Sequence, residues 1–138
     1  MGGRLAKKKF RRDFDSLEDI FRFIDDLLAG DTVDPGSEYA VKLAVEELFT
    51  NMVKYNPGSR QEVLIELQRL DDRIAVSLTD FDSDRFDIRE LDEVLTDRPI
   101  EERRPGGLGI HLIKQLMDRI DYEYEGRRSR TTFIKMLE

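Results

Sequence analysis

Leu17, Ile20, Phe21, Ile24, Leu27 and Leu28 recur at three- and four-residue spacing, the period of a helix with one buried face. Ser16 precedes them as a candidate N-cap, Asp19 stands in the place of a capping-box glutamate, and Gly30 ends the helix. Asp34-Pro35-Gly36 reads as a turn. Ser37 is placed to cap a second helix that runs to about Asn56, where Asn56-Pro57-Gly58-Ser59 stops it. The period then changes. Val63, Ile65 and Leu67 alternate with polar residues, Leu70-Asp71-Asp72-Arg73 reads as a hairpin turn, and Ile74, Val76 and Leu78 alternate again. These predict two antiparallel strands. Residues 4 to 14 mix basic and apolar side chains and predict a first, edge strand. Ile110, Leu112, Ile113, Leu116, Met117 and Ile120 predict a third helix. Residues 122–124 and 131–137 close the chain as two strands around a turn at Gly126.

Residues 81 to 108 break the pattern. They are polar and charged and carry Pro99, Pro105, Gly106 and Gly107. A connection this long is a functional lid or an ordered excursion, with a short helix near residues 88–95. Phe86, Ile88, Leu91, Val94 and Leu95 either seat it on the domain or meet a ligand or partner. The element order predicts an α/β fold, in detail an α+β two-layer sandwich. About three helices would cover one face of a mixed, mainly antiparallel sheet of about five strands, in one domain over residues 1–138.

Composition narrows the function. The 138 residues are 39% hydrophobic and 38% charged, with no cysteine and one histidine. Disulfide frameworks, thiolate metal sites and histidine clusters are therefore excluded. No run of 18 apolar residues suggests a membrane span, and the N-terminal basic stretch lacks the apolar core of a signal peptide. The expectation is a cytoplasmic protein with no membrane partner. A net charge of −7 argues against direct nucleic-acid binding, which needs clustered cations. Lys7 to Arg12 read as a solvated face or tail, whereas Arg103–Arg104 and Arg127–Arg130 flank candidate site elements.

Three segments carry candidate chemistry. In the second helix Ala40, Ala44, Glu47, Asn51 and Tyr55 share a face beside the apolar stripe of Val41, Val45, Leu48 and Met52. Asparagine gains nothing from propensity inside a helix. Asn51 is therefore either part of an exposed polar face or an oxygen ligand for magnesium, with Glu47 beside it to orient or deprotonate a water or hydroxyl. Asp80 ends a strand. It is a turn residue there, or it accepts a hydrogen bond from an adenine amino group at a pocket floor that Leu78, Thr79 and Thr132 could line. Pro105-Gly106-Gly107-Leu108-Gly109 runs straight into the third helix. It is a plain turn, or its free N–H groups and the helix dipole receive a phosphate. It is not a P-loop, because no Gly-Lys-Ser/Thr follows. His111 is read as packing or capping. Arg98, Arg103 and Arg104 are placed to reach a triphosphate or an acidic partner.

Taken in order, these segments resemble the ATP-binding domain shared by gyrase-type topoisomerases, Hsp90-type chaperones, sensor histidine kinases and MutL-type repair proteins. In particular they resemble its small single-domain branch, the bacterial anti-sigma regulatory factors that are also serine/threonine protein kinases. Glu47-Leu-Phe-Thr-Asn51 looks like the first box of that family, Asp80 like its adenine-binding aspartate, and Phe86-Asp87 like the pair that follows. Gly107-Leu108-Gly109-Ile110-His111-Leu112-Ile113 resembles the glycine box that opens the helix after the ATP lid. Asp118, Tyr122 and Gly126 match its tail.

The resemblance implies ATP and Mg2+ as cofactors and Glu47 as the catalytic residue. It implies Asn51 on the metal, and Asn51, Asp80, Arg104, Gly106, Gly107, Leu108, Gly109, Ile110 and Thr132 around the nucleotide. It also implies a homodimer that phosphorylates a serine on a small antagonist protein and binds a sigma factor. The alternative is a docking module without kinase activity. A detached histidine-kinase catalytic domain is a third possibility. Two positions depart from the family pattern. Asp82 stands where glycine is usual, bringing a side chain and a negative charge toward a polyanionic ligand. Tyr55 stands where histidine is usual.

Overall fold

Alternating burial builds one sheet. In the computed structural model, which describes residues 3–30, 32–56, 58–90 and 107–137, the strands are β1 (Arg4–Phe10), β2 (Val63–Arg69), β3 (Arg73–Asp80), β4 (Arg119–Glu125) and β5 (Arg128–Met136). Their spatial order is β1-β2-β3-β5-β4. Every pairing is antiparallel, so the expected mixed sheet is wholly antiparallel among the described residues. β1 and β4 form its edges. Tight turns join β2 to β3 and β4 to β5. In the second, Gly126 and Arg127 both have positive φ, 52° and 65°, as a type I′ turn requires.

Among the described residues three α-helices complete the order: α1 (Ser16–Leu28), α2 (Pro35–Tyr55) and α3 (Gly107–Leu116). Two helix starts differ from expectation. The α1 N-cap is Asp15, which makes no side-chain cap bond, while Ser16 Oγ donates to Arg11 O at 2.8 Å. The α2 N-cap is Asp34, whose carboxylate accepts from Ser37 N at 2.9 Å and Ser37 Oγ at 2.7 Å. Pro35 then opens the helix, a position where no N–H is needed. The described part of the expected helix at 88–95 is a 3-10 turn over Ile88–Glu90. Leu91, Val94 and Leu95 lie outside the described residues.

The core lies between the sheet and the helices. Ile20 and Ile24 of α1, Val41, Val45 and Phe49 of α2 and Ile113 of α3 are 0–1% exposed. Val63, Ile65, Leu67, Ile74, Val76, Leu78 and Phe133 match them from the sheet at 0–1%. Each such side chain contributes about 1.5–3 kcal/mol of burial. Because paired residues face the same side, the register sorts the polar positions too. Val63, Asp80 and Ser129 form one row on the helix side, and Leu78 and Thr131 the next. Ser77 and Thr132 pair on the opposite side.

Candidate functional site

α2 carries the first two candidates. Glu47 and Asn51 are one turn apart, so they share a face. Asn51 is 2% exposed. Neither its Oδ1 nor its Nδ2 has a hydrogen-bond partner among the described residues. A buried carboxamide left this way costs roughly 1–3 kcal/mol, and natural cores seldom keep one without a reason. Glu47 is half-buried. Burial, and then the charge of Glu46, push its carboxyl above the ordinary range. Gly109 of α3 lies directly against it: a methyl group at Gly109 would overlap the Glu47 side chain. The glycine thus lets α3 approach α2 at the height of the carboxylate.

Asp80 ends β3 on the helix side and is 3% exposed. Arg12 Nη2 donates to its Oδ1 at 2.5 Å and Arg12 Nη1 to its Oδ2 at 3.0 Å. Asp82 N donates to Oδ1 at 2.9 Å. The reading of Lys7 to Arg12 as a solvated face or tail fails for Arg12, whose side chain is 2% exposed. Lys7 to Lys9 are part of β1.

The segment after Asp80 is fastened from two sides. Asn56 Nδ2, just past α2, donates to Asp82 O at 2.6 Å. From the β4–β5 hairpin, Arg127 O accepts from Ser83 N at 3.0 Å and Tyr124 Oη donates to Ser83 O at 2.9 Å. Tyr122 Oη accepts from Phe86 N at 2.9 Å. The Arg127 guanidinium donates to the Asp82 and Asp84 carboxylates at 2.9–3.0 Å. Ser59 first and Arg127 second hold the Asp82 carboxyl below the ordinary range. Its negative charge is therefore countered by a cation. Asp82 has no positive φ, so the backbone here does not need the usual glycine. Tyr55, the other departure, is exposed and its ring lies 6.4 Å from that of Phe86. Asp87 is 5% exposed. Burial raises its carboxyl, but hydrogen bonds from the Arg89 side chain and backbone outweigh this and leave it below the ordinary range.

Thr132 is a correction. It faces away from the helices, with its hydroxyl 2.7 Å from Ser77 Oγ. Its neighbour Thr131, 1% exposed, lies on the Asp80 side. Ser129, beside Asp80 in the register, donates to Tyr122 Oη at 2.7 Å. The glycine box opens a helix as expected, and Gly107, Leu108, Gly109 and Ile110 form the first turn of α3. Ile110 is 5% exposed and belongs to the core. Arg98, Arg103, Arg104 and Gly106 lie outside the described residues.

The donor set fits magnesium. Asn51 Oδ1 is a neutral oxygen that nothing among the described residues engages, and magnesium takes a few protein oxygens together with phosphate oxygens and water. No three His, Cys, Asp or Glu side chains cluster among the described residues, so a metal here would share its shell with a ligand. No described helix is long and apolar enough to cross a membrane.

Comparison with known proteins identifies the family of the fold. Residues 10–135 match the model of the histidine kinase-like ATPase domain. The chain is similar to the serine-protein kinase RsbW of Halalkalibacterium halodurans, 34% identical over 59% of this chain and 52% of that protein. It is 31% identical to RsbW of Bacillus velezensis over 58% and 53%. It thus spans about half the length of the curated relatives it matches. A chain of the SiaB–SiaC complex of Pseudomonas aeruginosa superposes with a TM-score of 0.65 at 15% identity, covering 96% of this chain and 88% of that one. The histidine kinase AdeS of Acinetobacter baumannii superposes at 0.54 and 16% identity, covering 98% and 69%. At such identities these two likenesses speak for the fold alone.

Proposed function

This chain belongs to the histidine kinase-like ATPase domain family, and on that premise we propose that it is an ATP- and magnesium-binding regulatory protein kinase of the anti-sigma kind. Its substrate is a serine on a small antagonist protein. In the same circuit it binds a sigma factor and works as a homodimer. The name serine-protein kinase on the RsbW relatives supports this class.

One observation carries the reading. A buried carboxamide without a partner, Asn51, sits one helical turn from a carboxylate that its surroundings push toward a base's working range, Glu47. Asn51 Oδ1 would hold magnesium, which when bound neutralises the triphosphate. Asp80 would accept from the adenine amino group. The first-turn N–H groups of α3 and the Arg104 guanidinium would receive phosphate oxygens. Glu47 would orient the serine hydroxyl and take its proton as the serine oxygen bonds to the γ-phosphorus and the bond to ADP breaks. Gly109 keeps the Glu47 side chain close to the start of α3.

The test is incubation with γ-labelled ATP and a cognate small antagonist protein. Label should appear on an antagonist serine and be lost with Glu47→Ala, while calorimetry shows affinity within a few fold. A second reading, a docking module without phosphotransfer, draws on the Asp80 carboxylate, most of which is already taken by Arg12 and Asp82 N. ATP binding with no transfer to a verified antagonist would favour it.

A further inference from the structure

Arg12 belongs to the connection between β1 and α1, yet its guanidinium is buried beside Asp80. Four of its five N–H groups are engaged. Nε donates to Gln61 O at 3.3 Å. Nη1 donates to Met52 O at 3.1 Å and to Asp80 Oδ2, and Nη2 donates to Asp80 Oδ1. Met52 lies in the last turn of α2, where helix carbonyls need outside donors. Two backbone carbonyls therefore fix the fork independently of Asp80. A planar fork held in place sets the plane of the carboxylate it grips.

An ionised carboxylate accepts about four hydrogen bonds. Oδ1 of Asp80 already accepts two, from Arg12 and Asp82 N, and Oδ2 accepts one. Among the described residues one acceptor position, on Oδ2, is left. We propose that Arg12 is a positioning residue for base selection: it holds the Asp80 carboxylate so that this last acceptor takes a single N–H from the 6-amino group of a purine nucleotide. Arg12 itself touches no ligand. The inference rests on the reading of Asp80 as the base-binding carboxylate and extends it to a residue 68 positions away in the chain. Lysine replaces Arg12 only in part, because an ammonium is a point charge and does not fix a plane.

The experiment is calorimetry on the full chain with magnesium, using ATP and purine riboside triphosphate, which carries hydrogen in place of the 6-amino group. Wild type is expected to prefer ATP by about tenfold to 150-fold, the value of one charge-assisted hydrogen bond. Arg12→Met is expected to bind the two within about threefold, with the loss falling on ATP alone. Arg12→Lys should fall between. Thermal unfolding of each unliganded variant establishes that it is folded. If Arg12→Met does not fold, an unchanged preference in Arg12→Lys overturns the proposal by itself. A wild-type preference retained in Arg12→Met overturns it while leaving Asp80 as the base reader. Equal weakening of both ligands makes Arg12 mere scaffold, and tighter ATP binding makes it a competitor of the base. A wild type indifferent to the 6-amino group removes Asp80 from the base, and that part of the proposed function with it.

Discussion

Two polar side chains are buried where α2 ends, and the fold treats them in opposite ways. Asp80 is 3% exposed and receives three hydrogen bonds, two from a guanidinium. Asn51 is 2% exposed and receives none among the described residues. The desolvation of Asp80 is offset inside the chain. That of Asn51 is left standing and is carried by the rest of the core. A charge must be answered before the protein can fold, whereas a neutral amide can wait for a ligand. On the proposed function, the base side of the site would thus be assembled with the fold and the metal side completed from outside.

The largest effect that can break this contrast is on stability. Asp80→Ala leaves Arg12 buried and uncompensated and should lower the unfolding free energy by about 3–5 kcal/mol, read from urea titration without ligand. A cost under about 1 kcal/mol would mean the pair does nothing for the fold. Next is Asp80→Asn, which keeps the shape but not the charge. It should weaken ATP binding by about 1.5–3 kcal/mol, tenfold to 150-fold, in calorimetry.

Asn51→Leu should move stability the other way. Replacing a partnerless buried amide by an apolar side chain of similar size should stabilise the unliganded protein by roughly 1 kcal/mol, while nucleotide binding loses its dependence on magnesium. Destabilisation would show that Asn51 is satisfied after all. The smallest effect concerns Glu47, whose carboxyl is raised. Its folded state favours the protonated form, so its contribution is present below the ordinary glutamate range and is lost as pH rises through the raised value. Glu47→Gln should therefore raise Tm above wild type near pH 7, by up to about 3 °C, and less near pH 4. Phosphotransfer by wild type should decline with falling pH while still above the ordinary carboxylate range.

Much of this was legible in the chain. Alternation at Val63–Ile65–Leu67 and Ile74–Val76–Leu78 became β2 and β3, because one face of each is core. The helical stripes became α1 and α2 for the same reason. That Glu47 and Asn51 share a face was readable from spacing, since a helix converts four residues into one turn; chemistry at that face was implied only by the resemblance. Arg12 was not. A lone arginine in a basic run looks like solvent-exposed charge, and its partner lies across the sheet from another strand's end. The face of Thr132 was not readable, because adjacent threonines are identical in type and only the register with Leu78 and Ser77 assigns each a side. Asp34 was legible in principle, with proline after it and serine three positions on, but the same letters spell a turn.

The strand order also has a meaning in time. β2–β3 and β4–β5 are local hairpins, whereas β1 must find β2 across the whole of α1 and α2, and β3 must find β5 across α3. Loop closure makes such distant pairings slow. The outermost strand is expected to dock late, with φ-values near zero in β1 and higher values in the hairpins. Arg12 arrives with that strand. A chain still lacking β1 would hold a bare, unoriented Asp80, so on the role proposed for Arg12 the choice of base would begin only when folding is finished.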